Sequence, residues 1–177
     1  RQVLTHSIRQ IFRRRFRNGG LRLVYDVAHN IAKVETYGGE RLCVHRKGAT
    51  RAFGPGHPET PSAYRAAGQP VFIPGSMGTA SYVLAGTDAA ARLSFGSTCH
   101  GAGRAMSRGE AKRTTTGSAV RRLLAERGIV VECVSNAELA EEAPLAYKDV
   151  ERVTEVVDRA GLARRVARLK PIGVIKG

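Results

Sequence analysis

The chain has 177 residues, of which 42% are hydrophobic, so it is long enough to bury the core of one domain and short for two. No apolar run approaches the ~18 residues that a membrane-spanning helix needs, so we expect no membrane partner. The 29 Lys and Arg outnumber the 15 Asp and Glu, and the formal net charge of +14 favours an anionic partner, with nucleic acid as the first candidate.

The first part of the chain predicts a helix, three strands and a long loop. Apolar residues at helical spacing predict a helix over 3–16. Alternating apolar residues predict a strand over 21–27, and residues 31–36 and 41–46 are predicted to pair as a hairpin. Residues 48–70 contain four prolines and several glycines, which indicates a long irregular loop of the kind that often carries function.

The rest of the chain mixes short strands with helices. Strands are predicted over 71–73, 81–85, 129–134, 162–169 and 172–175, and helices over 107–112, 118–127 and 148–160. There is no internal repeat and no flexible linker. We therefore predict one α+β unit, with mixed sheets, flanking helices and long glycine-rich loops.

The ends and the cysteines indicate the context of the chain. It begins inside a predicted helix without an initiating Met, so we expect it to be the C-terminal piece of a longer polypeptide. Cys43, Cys99 and Cys133 are widely spaced and form neither a disulfide framework nor a zinc motif. A reducing, cytoplasmic setting is expected.

The segment 96–108, GSTCHGAGRAMSR, is the most informative stretch. His100 stands directly before Gly101 and Gly103, which allow backbone N–H groups to converge on an anion, and Arg104 adds a positive charge beside them. A nucleophile next to a phosphate cradle is typical of phosphoryl or nucleotidyl transfer. From spacing alone, a glycine-rich turn with a structural histidine is the commoner explanation.

A second loop, residues 74–81, combines small residues with three hydroxyl groups that can approach a phosphate or a base. It is not a Walker A loop, because it lacks the Gly-Lys-Ser/Thr ending. Near the other end of the chain, Lys176 follows a short β-branched run, so this segment could pack and aim Lys176 inward. A solvated charge is the alternative.

The remaining histidines have weaker signals. His29 follows a predicted strand and is either structural or a ligand for a divalent transition metal. His45 lies beside Arg46 and Lys47, which favours contact with phosphate over a metal site. His6 and His57 have no obvious partner, and we assign neither a role.

Six segments together resemble the RtcB family of RNA-splicing ligases, in the family's order and nearly end to end. They are DVAHNIAKVE at 26–35, HRKGATRAFGPGHPE at 45–59, QPVFIPGSMGTASYVLAGT at 69–87, FGSTCHGAGRAMSR at 95–108, LAEEAPLAYKDV at 139–150 and VARLKPIGVIKG at 166–177. Each motif is long, so the resemblance is more specific than any of the spacing arguments.

The resemblance implies a GTP- and Mn²⁺-dependent RNA ligase that acts in tRNA splicing or RNA repair. The family joins RNA with a 3′-phosphate or 2′,3′-cyclic phosphate end to RNA with a 5′-hydroxyl end. By motif position, His100 would attack the α-phosphate of GTP and become guanylylated. The guanylate would then pass to the RNA 3′-phosphate, and the 5′-hydroxyl would displace GMP.

The resemblance also assigns residues. It implies that His29 is a Mn²⁺ ligand and Asn30 a neighbouring nucleotide contact. The other implied guanylate contacts are Pro74, Gly75, Ser76, Met77 and Ser81 in the first loop, Gly101, Ala102 and Gly103 after the nucleophile, and Tyr147 and Lys176. Lys47, Arg104 and Arg108 are further candidates for contact with phosphate or RNA.

One departure from the family pattern is large. The family's other Mn²⁺ ligands, an Asp, a Cys and two His, belong to an N-terminal half that this sequence does not contain, as does an Asn-x-Phe-x-Glu type segment. We therefore expect residues 1–177 to be the C-terminal part of one catalytic domain, with that half as a partner and possible dependence on an archease-type activator. Alone they should bind Mn²⁺ weakly, ligate poorly or not at all, and expose apolar surface, most of all around the first helix.

Two other functions remain open from the sequence. The chain could be a non-catalytic RNA-binding remnant that uses its positive charge; with no Trp, it would hold RNA mainly by the phosphates. It could also be a Mn²⁺-dependent hydrolase built on isolated histidines. Covalent guanylylation would distinguish the ligase from both.

Overall fold

The computed structural model describes residues 2–176, except for the side chain of Lys176, and confirms an α+β fold. The helices are α1 (Gln2–Arg15), α2 (Ser62–Arg65), α3 (Asp88–Ser94), α4 (Arg108–Thr114), α5 (Gly117–Glu126), α6 (Asn136–Glu141) and α7 (Val150–Arg159), with a 3₁₀ turn at Pro144–Ala146. The strands are β1 (Asn30–Tyr37), β2 (Glu40–Lys47), β3 (Ala49–Arg51), β4 (Pro70–Ile73), β5 (Ser81–Gly86), β6 (Ser97–Cys99), β7 (Val130–Cys133), β8 (Ala163–Leu169) and β9 (Gly173–Lys176).

The main core lies between α7 and an antiparallel sheet of order β4-β5-β8. Ile73 and Leu84 are almost fully buried there. Helix α7 buries Val150, Thr154 and Val157, which lie on one face at the spacing of an amphipathic helix. This core holds the ends of the loop between β4 and β5, which is the second loop of the sequence analysis.

A second core lies among α5, α6 and the parallel pair β7–β9. Leu124 and Leu139 are fully buried at its centre. Met77, in the loop between β4 and β5, is buried in the same cluster. The loop is therefore fixed at its middle as well as at its ends.

Two smaller antiparallel pairs carry the histidines of interest. Strands β1 and β2 form the predicted hairpin, in a register that places Asn30 opposite Lys47. Strand β3 follows directly and pairs with β6, so that Ala49 lies opposite Cys99. His29 stands immediately before β1 and His100 immediately after β6, so these pairs bring together residues that are far apart in sequence.

The strand predicted over 21–27 is wrong. Residues 20–28 form neither a strand nor a helix in the structure. The segment is held by side chains instead, since the Tyr64 hydroxyl donates to the Val24 carbonyl at 2.7 Å and the rings of Tyr25 and Tyr64 meet edge to face. Alternation alone does not make a strand, which needs a neighbour for its backbone groups.

The predicted helix over 3–16 is confirmed as α1, but no residue of it is buried. Its apolar side chains face solvent, as the sequence led us to expect for the first helix, with Leu4 68% and Phe16, just beyond its end, 58% exposed. In the predicted loop 48–70 the structure places β3 and the single turn α2. Within residues 2–176, no helix is long and apolar enough to cross a membrane.

Candidate nucleophile and nucleotide site

The rings of His29 and His100 stack face to face. Their centroids are 4.6 Å apart and their planes differ by 6°. Both residues are bonded through Gly48, whose N–H donates to the His29 carbonyl at 3.2 Å and whose carbonyl accepts the His100 N–H at 3.4 Å. Gly48 has φ +70°, and a Cβ built on it would lie 3.7 Å from the His100 ring. The structure thus brings the predicted nucleophile and the predicted metal ligand into direct contact.

The surroundings of His100 favour its neutral form. Burial lowers the pKa of His100, and the neighbouring His29 lowers it further. A neutral imidazole has a free electron pair on one nitrogen, which a nucleophile requires. These surroundings therefore favour the protonation state that the predicted role requires.

The loop from Pro74 to Ser81 is tied to the residues that follow His100. The Ala102 N–H donates to the Pro74 carbonyl at 3.0 Å. Within the loop, the Ser76 N–H donates to the Thr79 hydroxyl at 2.7 Å and closes a tight turn. A Cβ on Gly75 would run into Ala80 and Thr79, so this turn accepts only glycine there.

An open cavity of about 350 Å³ lies against this loop. Its volume is at the lower end of the range of ligand pockets in proteins. Six of the residues that line it are predicted nucleotide contacts: Pro74, Gly75, Ser76, Met77, Ser81 and Tyr147. The other six are Thr79 in the same loop, Glu142, and Pro171, Gly173, Val174 and Ile175 in and just before strand β9. His100 and the glycines after it do not line this cavity. They lie beside it, because Ala102 is hydrogen-bonded to Pro74 in the cavity wall.

Glu142 is a lining residue that the sequence analysis missed. Its carboxylate accepts a short hydrogen bond from the Tyr147 hydroxyl and forms an ion pair with Arg104 at 3.3 Å. Burial and the bond to Glu142 raise the pKa of Tyr147, so the phenol stays a donor. The only sequence signal for Glu142 was the place of this residue in the LAEEAPLAYKDV motif, five residues before Tyr147.

Arg104 directs its donors into the protein. They reach the Met106 carbonyl at 3.0 Å, the Glu141 carbonyl at 2.6 Å and the Tyr147 hydroxyl at 3.2 Å, besides Glu142. Its guanidinium also lies 5.0 Å from the centre of the Tyr147 ring. In this structure Arg104 holds the wall of the cavity, whereas the Arg108 side chain is 70% exposed near Glu141.

The other predicted residues lie at different distances from this centre. Asn30 and Lys47 are exposed and paired across the end of the hairpin, next to His29. His45 contacts the sulfur of Cys43 at 3.4 Å on the exposed side of β2, and His57 stacks on Phe53 in another part of the molecule. The side chain of Lys176, a predicted nucleotide contact, lies outside the described residues.

A metal site cannot be assembled from the described residues alone. Among residues 2–176 no group of three or more His, Cys, Asp or Glu could hold a metal ion. His29 is available as one ligand, but a Mn²⁺ site needs several. Cys99 adjoins His100, but burial raises its pKa and favours the neutral thiol over the thiolate that binds metals.

Comparison with known proteins decides the family. The family description "tRNA-splicing ligase RtcB" matches residues 1–177. The chain belongs to the RtcB family. Over its whole length it is 55% identical to a tRNA-splicing ligase RtcB of Pyrococcus abyssi, of which it covers 20%. It is 54% identical to that of Archaeoglobus fulgidus and 53% identical to that of Aeropyrum pernix, of which it covers 38% each.

This chain therefore spans between about one fifth and two fifths of the length of these RtcB relatives. Within that span, the segments quoted for the RtcB resemblance build the contacts described above. His29 comes from the first, Gly48 from the second, the loop at 74–81 from the third, His100 from the fourth and Tyr147 from the fifth.

Proposed function

We propose that this chain supplies the nucleophile and the guanylate pocket of a GTP- and Mn²⁺-dependent RNA ligase. The observation that carries the proposal is the stacked pair of His29 and His100, held through Gly48 and joined by the Ala102–Pro74 bond to the loop at the cavity. Membership of the RtcB family supports the same reaction class. The substrates are RNA ends bearing a 3′-phosphate, or a 2′,3′-cyclic phosphate that is first hydrolysed, and a 5′-hydroxyl.

In the proposed first step, the chain's own residues supply the nucleophile and the guanylate contacts. The neutral His100 forms a bond to the α-phosphorus of GTP, and pyrophosphate leaves. The loop at 74–81 and Tyr147 hold the guanylate, while Gly101, Ala102 and Gly103 shape the backbone beside the reacting phosphate. His100 is released when the guanylate passes to the RNA 3′-phosphate, and the 5′-hydroxyl then displaces GMP to form the phosphodiester. Covalent catalysis divides one difficult condensation into easier steps.

The proposal includes a metal requirement that the described residues do not meet. Mn²⁺ would offset the negative charge of the triphosphate, with His29 as one of its ligands. The remaining ligands would come from the part of the protein that this chain does not span. We therefore expect weak Mn²⁺ binding and little or no ligation by residues 1–177 alone; a calorimetric titration that finds tight, stoichiometric Mn²⁺ binding would contradict this.

Guanylylation tests the proposal directly. The chain is incubated with α-³²P-GTP and Mn²⁺, alone and with the separately expressed part of the Archaeoglobus fulgidus relative that it does not cover. A phosphoramidate on histidine is labile to acid and stable to alkali, so acid-labile label on the protein is the readout. The His100→Ala variant is the matched control, since it removes the nucleophile and leaves the loop at 74–81 intact.

Each outcome has one meaning. Label that needs both His100 and the added part supports a ligase site completed by residues outside this chain. Label on the wild-type chain alone supports the nucleophile but contradicts our expectation about the metal. No label in either case, with circular dichroism showing a folded chain, contradicts the ligase proposal and favours an RNA-binding remnant, for which the net charge of +14 is the supporting observation.

A further inference from the structure

A buried ion pair lies inside the hairpin that follows His29. Arg46 donates from Nη1 to one carboxylate oxygen of Glu35 at 2.8 Å and from Nη2 to the other at 2.7 Å. The side chains are 1% and 5% exposed. Burial alone raises the pKa of Glu35, but the bonds from Arg46 and Tyr37 outweigh it and hold this pKa below its usual value. Glu35 is therefore charged at neutral pH, and the pair is a true two-pronged ion pair.

The rest of the network leaves the hairpin and reaches the segment that leads to His100. Arg46 donates from Nη2 to the Phe95 carbonyl and from Nε to the Ser97 hydroxyl, both at 2.8 Å. The hydroxyl of Tyr37 lies 2.7 Å from the Phe95 carbonyl and 2.8 Å from the Glu35 carboxylate, so its one proton is shared between these two acceptors. Donors from the hairpin thus reach both Phe95, which lies just before β6, and Ser97, the first residue of β6.

These donors bind a turn whose backbone conformation is energetically unfavourable. Phe95 has φ +50°, the one positive φ at a residue other than glycine among the described residues, and Gly96 has φ +56°. A left-handed conformation costs a residue with a Cβ free energy and persists only where its surroundings impose it. Strand β6 starts at Ser97 and ends directly before His100, so the direction of this turn determines where His100 lies.

The same stretch of chain fixes the other side of the histidine pair. Two residues after Arg46 comes Gly48, whose backbone bonds to both His29 and His100. We propose that Arg46 and Glu35 are a positioning pair: they couple the hairpin to the turn at Phe95 and so hold the His100 ring against His29. This inference rests on the proposed function only for the catalytic role of His100. The contacts of Arg46 and Glu35 and the stacking of the two histidines do not depend on that role.

Arg46→Lys is the direct test. A lysine keeps a positive charge beside Glu35 but cannot serve the carboxylate, Phe95 and Ser97 together. In the 177-residue chain, nuclear Overhauser contacts between the ring protons of His29 and His100 should be strong in the wild type and lost in the variant. This readout needs neither nucleotide nor metal, so it stands or fails independently of the ligase proposal.

Kinetics give the second readout, in the guanylylation assay with the completing part of the relative present. Misplacement of a reacting group by about 1 Å can cost on the order of 100-fold in rate, so we expect a loss of this order in the guanylylation rate at saturating GTP. The half-saturating GTP concentration should change less than about 3-fold, because the loop at 74–81 and Tyr147 are not touched.

A substitution that weakens core packing separates a loss of histidine positioning from a general loss of stability. Val157→Ala removes a buried side chain of α7, outside the hairpin and the cavity, and should lower the melting temperature while keeping the ring contacts and the guanylylation rate. The proposal is overturned if Arg46→Lys retains the ring contacts and a rate near that of the wild type. It is also overturned if Val157→Ala loses them as Arg46→Lys does.

Discussion

Gly48 is the residue on which the two histidines depend most directly. It lies between β2 and β3, with φ +70°, and its two backbone groups bond to His29 and His100. The left-handed backbone strains any residue with a Cβ, so a substitution here would disturb the backbone that bonds both histidines. The Cβ itself would make only an ordinary van der Waals contact with the His100 ring, at 3.7 Å.

Gly48→Ala is compared with Gly128→Ala, which has the same left-handed backbone at a position that bonds neither histidine. Gly128 has φ +71° and nothing within 4 Å of a built Cβ. Both variants should lose about 1–2 kcal/mol in the free energy of unfolding, measured in urea, because they share the backbone strain. Only Gly48→Ala should slow guanylylation, since only this strain acts on the backbone that bonds His29 and His100. Equal guanylylation rates in the two variants would contradict this.

At the scale of elements, the sequence predicts pairing where a local signal exists and fails where the partner is distant. The hairpin β1–β2 was predictable because two alternating runs flank Gly38-Gly39. The strand predicted over 21–27 has the same alternation, but no neighbour pairs with it in the described structure. Helix α3 was missed because it has only seven residues and an Ala-rich sequence, and β6 because it has only three.

The candidate site, too, was predicted from the sequence only in part. The family motifs predicted His100, His29 and the loop at 74–81, which the structure brings together. They did not predict the network of Arg46, since the side chains that it joins are 11 and 51 positions apart in sequence. Long-range hydrogen bonds between polar side chains leave no periodic signal, and only the folded structure shows that these side chains are buried.

The cavity against the loop at 74–81 depends on a link between two segments of the chain. The segment after His100 and the segment at 146–148 are joined by backbone bonds from Ala105 to Ala146 and from Lys148 to Gly103. The Arg104 side chain reinforces this link through Glu141, Glu142 and Tyr147. One guanidinium thus couples the segment after His100 to the wall of the cavity.

Arg104→Lys should therefore weaken both the fold and GTP binding. An ammonium cannot reach four acceptors at once, and hydrogen bonds of charged groups contribute roughly 1.5–3 kcal/mol each, so we expect a loss of at least about 1.5 kcal/mol in the free energy of unfolding. Binding of a fluorescent GTP analogue should weaken because Tyr147 loses a partner. Arg108→Lys is the control: this exposed side chain lies 3.7 Å from Glu141, and the change should cost under ~1 kcal/mol. Equal losses would contradict a special role for Arg104.

For the whole molecule, the most unusual feature is the uncovered apolar face of α1 and the residues after it. Leu4 and Ile11 are 68% and 55% exposed on one stripe, and the rings of Phe12 and Phe16 lie beside them, 5.1 Å apart and tilted by 38°. A contiguous apolar face of this kind favours association, whereas apolar residues exposed singly do not. The high net charge opposes association through long-range repulsion, which salt screens.

The chain should therefore self-associate through α1, and more strongly at high salt. The double variant Leu4→Glu/Ile11→Glu should remain monomeric in sedimentation velocity at salt concentrations where the wild type forms larger species. Its free energy of unfolding should change by less than about 0.5 kcal/mol, because surface substitutions away from packed features rarely cost more. The matched control, Val134→Glu/Val156→Glu, makes the same charge change at side chains that are 92% and 66% exposed outside α1, and it should associate as the wild type does. A wild-type chain that stays monomeric at high salt, or a control that dissociates as fully as the α1 variant, would show that this face does not drive association.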